Sequence, residues 1–247
     1  MEERRDALAT LVDAALAIEK LRVAVQLRQS HLARQGRKDP ETDELLRRLK
    51  DMEEYADGRV SDLIKHHPAY PWFSRVKGVG AENIAKVVAA IDIHKAPTIS
   101  SLWKFSGRAP EDGHAPKRTR GEKLPYNSRL RAMTWRLGTS LLRARGKFYQ
   151  KYLSYKDAYY QRFLNQGYRI VPASALPRDR NGRRYEAEGV ISEGHIHNLA
   201  LNKMIKLFEA CLWLVWREAE GLPLTRPYAI DKLGHNSFID PWEMVDR

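Results

Sequence analysis

The first third of the chain repeats its apolar positions at helical intervals. Leu8, Leu11, Val12, Ala15, Ile18, Leu21 and Val25 recur every three or four residues, the spacing of one helical face. The stretch RQGRKDPETD breaks this pattern with Gly36 and Pro40. Asp39 before Pro40, with acidic residues following, marks a new helix start. A second helix is predicted over about 41–65, with Leu45, Leu49, Met52, Ala56, Val60 and Leu63 on one face. Residues 1–70 therefore read as an antiparallel helical hairpin or a dimerising coiled coil. Its apolar faces need cover from a second subunit or from the domain that follows. His66-His67-Pro68 ends the second helix, and adjacent helical histidines do not face one metal site.

Residues 71–150 form a second stretch. Trp72, Phe73 and Val76 precede Lys77-Gly78-Val79-Gly80, and a helix over 81–91 follows with Ile84, Val87, Val88 and Ile91 on one face. Two glycines around one apolar residue suit a tight turn between helices, a helix-hairpin-helix. Amides exposed at such a turn can hold one phosphate without reading a base. Lys77, Gly78 and Gly80 are the candidate contacts here. Beyond Pro97, a short helix over 100–105 closes at Gly107. A loop over 108–125 carries Lys117, Arg118, Arg120 and Lys123. A helix over about 127–146 follows, with Leu130, Met133, Trp135, Leu137, Leu141 and Leu142 apolar and Arg129, Arg131, Arg136, Arg143 and Arg145 basic.

Residues 151–247 begin with a helical, aromatic run and pass through a loop in which Asn181-Gly182 favours a turn. A strong helix is predicted over about 195–221, with Leu199, Met204, Ile205, Phe208, Leu212, Val215 and Trp216 largely buried. The aromatic residues of the final segment should bring it back onto the domain. His195, His197, His235 and Cys211 raise the question of zinc. Cys211 lies within an apolar helix pattern with no second cysteine, so no metal or other cofactor is expected. The histidines more naturally start the helix or meet phosphate.

Charge narrows the choice of partner. The net charge is +12, and residues 101–151 hold 13 Lys/Arg against 3 Asp/Glu, while residues 1–70 and 152–247 are near balance. Basic residues interleaved with Trp103, Phe105, Tyr126, Trp135 and Phe148 suit a polyanion. One cysteine excludes an internal disulfide. The N-terminal helix is broken by Asp13 and Glu19 and reads as neither a signal peptide nor a membrane span. A cytoplasmic protein is expected.

The order of these features resembles a family. HHP (66–68), VKGVG (76–80), AIDI (90–93), SLWKFSGRAP (101–110), KRTRG (117–121) and NSRLR (127–131) follow one another as in the C-terminal half of the DEDD transposases of the IS-one-ten type. These are the bridge-RNA-guided recombinases of insertion sequences. The resemblance covers about residues 45–150 and implies a helix-hairpin-helix and a basic loop that act on DNA. Two departures accompany it. Nothing before Glu41 alternates like the strands of the family's RuvC-like domain, whose four carboxylates hold metal. The loop that carries the family's Ser-Gly nucleophile reads EDGHAPKR, with no serine. Ser106 and Ser128 are offset from the motif and suit helix capping.

The expectation is an all-α protein: a helical hairpin or coiled coil over 1–70, a helix-hairpin-helix transposase-like domain over 71–150, and a helical region over 151–247. It should bind duplex or branched DNA mainly through phosphates, using Lys77, Gly78, Gly80, Lys117, Arg118, Arg120, Lys123, Arg129 and Arg131. It should be a homodimer without a catalytic residue of its own. The alternatives are an active recombinase subunit and an RNA-binding subunit of a guided complex that takes structured RNA.

Overall fold

The computed structural model describes residues 2–110, 116, 121–224 and 239–247, with the backbone alone for 2–5. Lys117, Arg118, Arg120 and His235 lie outside the described residues. The described chain is mostly helical and belongs to the all-α class, with one two-stranded sheet. It divides into two compact units. One comprises residues 1–70 and 80–92, the other residues 71–79 and 93–247. The boundaries differ from the three stretches read from the sequence, because the helix after Gly80 joins the hairpin.

The first unit is built from α1 (Glu2–Arg34), α2 (Pro40–Ile64) and α4 (Ala81–Val88). The Asp39 side chain caps α2 by accepting the Thr42 N–H, and Pro40 supplies the fixed φ of the first turn. Gly36 takes φ +69 in the connection. The apolar face of α4, Ile84, Ala85, Val87 and Val88, is fully buried. Lys86 of α4 pairs with Glu19 of α1 at 3.1 Å, and Arg22 of α1 pairs with Glu53 of α2. The buried stripe of α2 is Leu46, Leu49, Ala56, Val60 and Ile64. It is rotated from the stripe read in the sequence, and Leu45 and Met52 are exposed (46% and 53%). The buried apolar residues of α1, Leu8, Val12 and Ala15, all belong to its first half. Leu21 and Leu27 beyond them are exposed, as is Tyr55 of α2.

The second unit is organised around α8 (Glu193–Ala219), which starts at Ser192, whose hydroxyl accepts the His195 N–H. Thirteen of its residues are buried, on every side of the helix, which fits a central core element. α3 (Tyr70–Phe73) contributes Trp72, α7 (Lys147–Asn165) contributes Phe148, and both meet Phe208 with ring centroids 5.4–5.5 Å away. α5 (Ile99–Phe105) opens with a capping box between Thr98 and Ser101. α6 (Ser128–Ala144) is capped by Asn127, which accepts the Leu130 N–H. Gly138 lets α6 approach α8 closely, since a Cβ there would lie 2.6 Å from Ile205. Strands β1 (Arg169–Val171) and β2 (Val190–Ser192) pair in parallel, Ile170 opposite Ile191. Residues 239–247 return to this unit: Trp72 donates its indole N–H to the Pro241 carbonyl at 2.8 Å, and Met244 is buried.

Candidate nucleic-acid interface

The turn at Lys77-Gly78 is fixed by packing. Gly78 has φ +95, a region that favours glycine, and its carbonyl accepts the Ser140 hydroxyl of α6 at 2.8 Å. A Cβ on Gly78 would lie 2.7 Å from the Ala144 Cβ and 3.0 Å from the Ser140 carbonyl. Gly80 belongs to the other unit, where it is the N-cap of α4 with φ −87 and open space around its Cβ position. The conformational demand therefore falls on Gly78.

The Lys77 amide is already engaged by an anion of the protein. Asp246 Oδ2 accepts the Lys77 N–H at 2.7 Å, and its Oδ1 accepts the N–H of Lys147, the first residue of α7, at 2.8 Å. The Lys77 amide at this turn is therefore taken by a carboxylate of the protein itself. The Lys77 side chain remains exposed.

The described residues on either side of the basic loop, from Phe105 to Arg108 and from Tyr126 to Arg131, are tied together, and Pro116 within it is buried. Asn127 N–H donates to the Phe105 carbonyl at 2.8 Å, and Gly107, at φ +70, lies flat against the Tyr126 ring. The Arg131 guanidinium stands 5.0 Å over Tyr126 and reaches the Pro116 carbonyl at 3.5 Å. Arg131 is half-buried; Lys123 and Arg129 are exposed. Arg131 therefore braces the loop root with part of its donor set.

Behind this root lies a buried polar cluster. Arg108 Nε donates to Glu209 Oε1 of α8 at 3.0 Å, and the same guanidinium also reaches Asn202, Thr134 and the Arg131 carbonyl. The Ser106 hydroxyl donates to Glu209 Oε2 at 2.9 Å. Arg108 and Glu209 are 4% and 1% exposed, so each charge depends on the other. Burial pushes the Glu209 carboxyl up and the Arg108 guanidinium down, and their attraction opposes both shifts. Ser106 is fully buried and therefore closed to a nucleic-acid phosphate. Lys206 lies 4.2 Å over the Trp103 ring, and burial lowers its ammonium below the ordinary lysine range. A glutamate inside an apolar helix face is the sequence signal for this cluster.

The outer face of α6 has a different character. Its 17 residues contain Arg129, Arg131, Arg136 and Arg143 and no Asp or Glu. Arg129, Arg136 and Arg143 stand seven residues apart, which places them on one stripe at intervals of about 10.5 Å. All three are exposed. Planar guanidinium forks at exposed positions suit phosphate oxygens.

Ser128 does not cap α6: it is the first residue of the helix, and Asn127 caps it instead. His195 pairs with Glu186 at 2.6 Å, and His197 meets the Tyr152 hydroxyl at 2.7 Å. Burial pushes the Cys211 thiol up to about 12, which disfavours the thiolate a metal would need. Among the described residues no three His, Cys, Asp or Glu side chains converge to hold a metal ion. No described helix is long and apolar enough to cross a membrane. No protein-family model matches the chain, and a comparison with curated proteins finds no match.

Proposed function

We propose that this protein binds nucleic acid, duplex DNA foremost, through phosphate contacts made by the second unit, and that it is related to the IS-one-ten-type transposases without carrying their strand chemistry. The observation that carries this reading is α6, a helix with three exposed arginines on one stripe and no acidic residue. The root of the 108–126 loop supports it, because Arg108 and Arg131 hold the loop ends in place beside that helix. Lys117, Arg118, Arg120 and Lys123 extend the same charge along the chain, with the side chain of Lys77 as a further contact. Catalytic silence is supported by the burial of Ser106 against Glu209.

Fluorescence anisotropy on a 30-base-pair duplex, with structured RNA and polyglutamate as competitors, tests the reading. Duplex should be bound, and an equal charge of polyglutamate should compete poorly. Preference for structured RNA would favour the guided-complex alternative. A nick in supercoiled plasmid, or a covalent protein–DNA adduct with Mg²⁺, would favour an active recombinase subunit.

Self-association belongs to the same proposal. Leu21, Leu27, Leu45, Met52 and Tyr55 leave apolar surface on the half of the α1–α2 hairpin beyond Ala15 and before Ala56. Light scattering should find a dimer that Leu27→Glu with Tyr55→Glu shifts toward monomer. A monomeric unsubstituted protein at micromolar concentration would remove the coiled-coil reading.

A further inference from the structure

The segment between β1 and β2 reads from its sequence as a loop containing one turn. Within it the structure forms a small, closely tied hairpin. Arg178 and Arg184 form an antiparallel bridge. Asp179 N–H donates to the Arg183 carbonyl at 2.8 Å, and Gly182 N–H returns to the Asp179 carbonyl at 2.9 Å. Gly182 takes φ +74, the conformation that closes a type I turn with a glycine bulge.

The charges of this hairpin are divided between holding and presenting. The Asp179 carboxylate accepts the N–H groups of Asn181 and Arg183 at 2.9 and 2.7 Å, so the one acid of the turn serves its own backbone. Arg178 donates to the Gly182 carbonyl, which closes the turn, and Arg184 to the Ala173 carbonyl, which ties the second arm to the segment before the hairpin. Arg180 and Arg183 are exposed, and among the described residues their side chains have no hydrogen-bond or ion-pair partner. A pre-ordered turn with two outward guanidiniums gives up little conformational freedom when it meets an anion. It also keeps each five-donor fork available.

We infer that the Arg178–Arg184 hairpin is a second nucleic-acid contact, with Arg180 and Arg183 bonding backbone phosphates. The inference rests on the nucleic-acid reading of the second unit. A long polyanion is favoured over a short acidic peptide because α6 and this hairpin are two separate basic elements of one unit, and only an extended ligand serves both.

The test is a salt titration of duplex binding by the full chain. Arg180→Ala with Arg183→Ala should reduce the magnitude of the log–log salt slope by about 1.8, at roughly 0.9 for each phosphate no longer neutralised. Arg180→Lys with Arg183→Lys should keep most of the slope, since charge sets counterion release. Circular dichroism should be unchanged in both variants, because neither side chain supports the fold. If the alanine pair binds with an unchanged slope while α6 variants lose affinity, the hairpin assignment fails and the nucleic-acid reading stands. If the unsubstituted protein binds no nucleic acid, both fail. If the alanine pair loses polyglutamate binding but keeps DNA binding, the hairpin takes acidic peptide and the assignment is overturned.

Discussion

The turn at Lys77-Gly78 and the α6 residue Arg129 are both readable in the sequence as phosphate contacts, and they differ in their surroundings. At the turn, Gly78 is packed against Ser140 and Ala144, and the Lys77 amide is held by Asp246. Arg129, Arg136 and Arg143 of α6 remain exposed. Backbone donors are short and fixed, so a fold that must satisfy its polar groups often satisfies them internally. Long side chains on the outer face of a helix reach solvent even where they also bond to the protein, as Arg143 does to the Thr139 carbonyl.

The largest expected effect separates a buried arginine from an exposed one. Arg108→Ala leaves the Glu209 carboxylate buried without its partner and should destabilise the protein by about 3–5 kcal/mol. Arg136→Ala should lie within about 0.5 kcal/mol of the unsubstituted protein while weakening DNA binding. Urea denaturation compares them. Equal stability of the two variants would undo the distinction between brace and contact.

The two glycines around Val79 should differ next. Gly78→Val places a β-branched side chain at φ +95 against α6 and should cost about 2–4 kcal/mol. Gly80→Val, in open space at ordinary φ, should cost under about 1 kcal/mol. A larger loss at Gly80, read from the same denaturation curves, would move the structural demand back to that position.

Asp246→Ala should have the smaller effect of removing two amide-to-carboxylate bonds at a partly exposed site, a loss of about 1–2 kcal/mol. Duplex affinity should change less than threefold. A tenfold gain in affinity on freeing the Lys77 and Lys147 amides would show that a phosphate takes them when it can.

Local chemistry is legible in the chain and distant pairing is not. Asp39-Pro40 and Asn127 read as helix starts, and both cap helices through their side chains. Gly182 reads as part of a turn and adopts the required positive φ. The buried face of α2 is harder, because Leu45 and Met52 form a second apolar stripe beside Leu46, Leu49 and Ala56. Periodicity cannot decide between adjoining stripes without knowing which neighbour covers them. The parallel pairing of β1 with β2 brings together short segments with a long loop between them. The pairs Arg108–Glu209 and Lys77–Asp246 span 101 and 169 residues. Neither leaves a spacing pattern in the chain. For the candidate interface, charge density points to residues 101–151 and, on α6, to Arg129 and Arg131; the exposed stripe that adds Arg136 and Arg143 emerges only with the fold, and the Lys77 amide is held by a residue near the other end of the sequence.

The central claim is that arginines along α6 bind phosphate, and its most direct measurement is the salt dependence of duplex binding. If about six phosphates are neutralised, the unsubstituted protein should give a log–log slope of about −5. Arg129→Ala, Arg136→Ala and Arg143→Ala combined should flatten it by about 2.7, and should weaken unrelated sequences alike. A slope left unchanged by the triple substitution, with the fold intact by circular dichroism, would contradict the account.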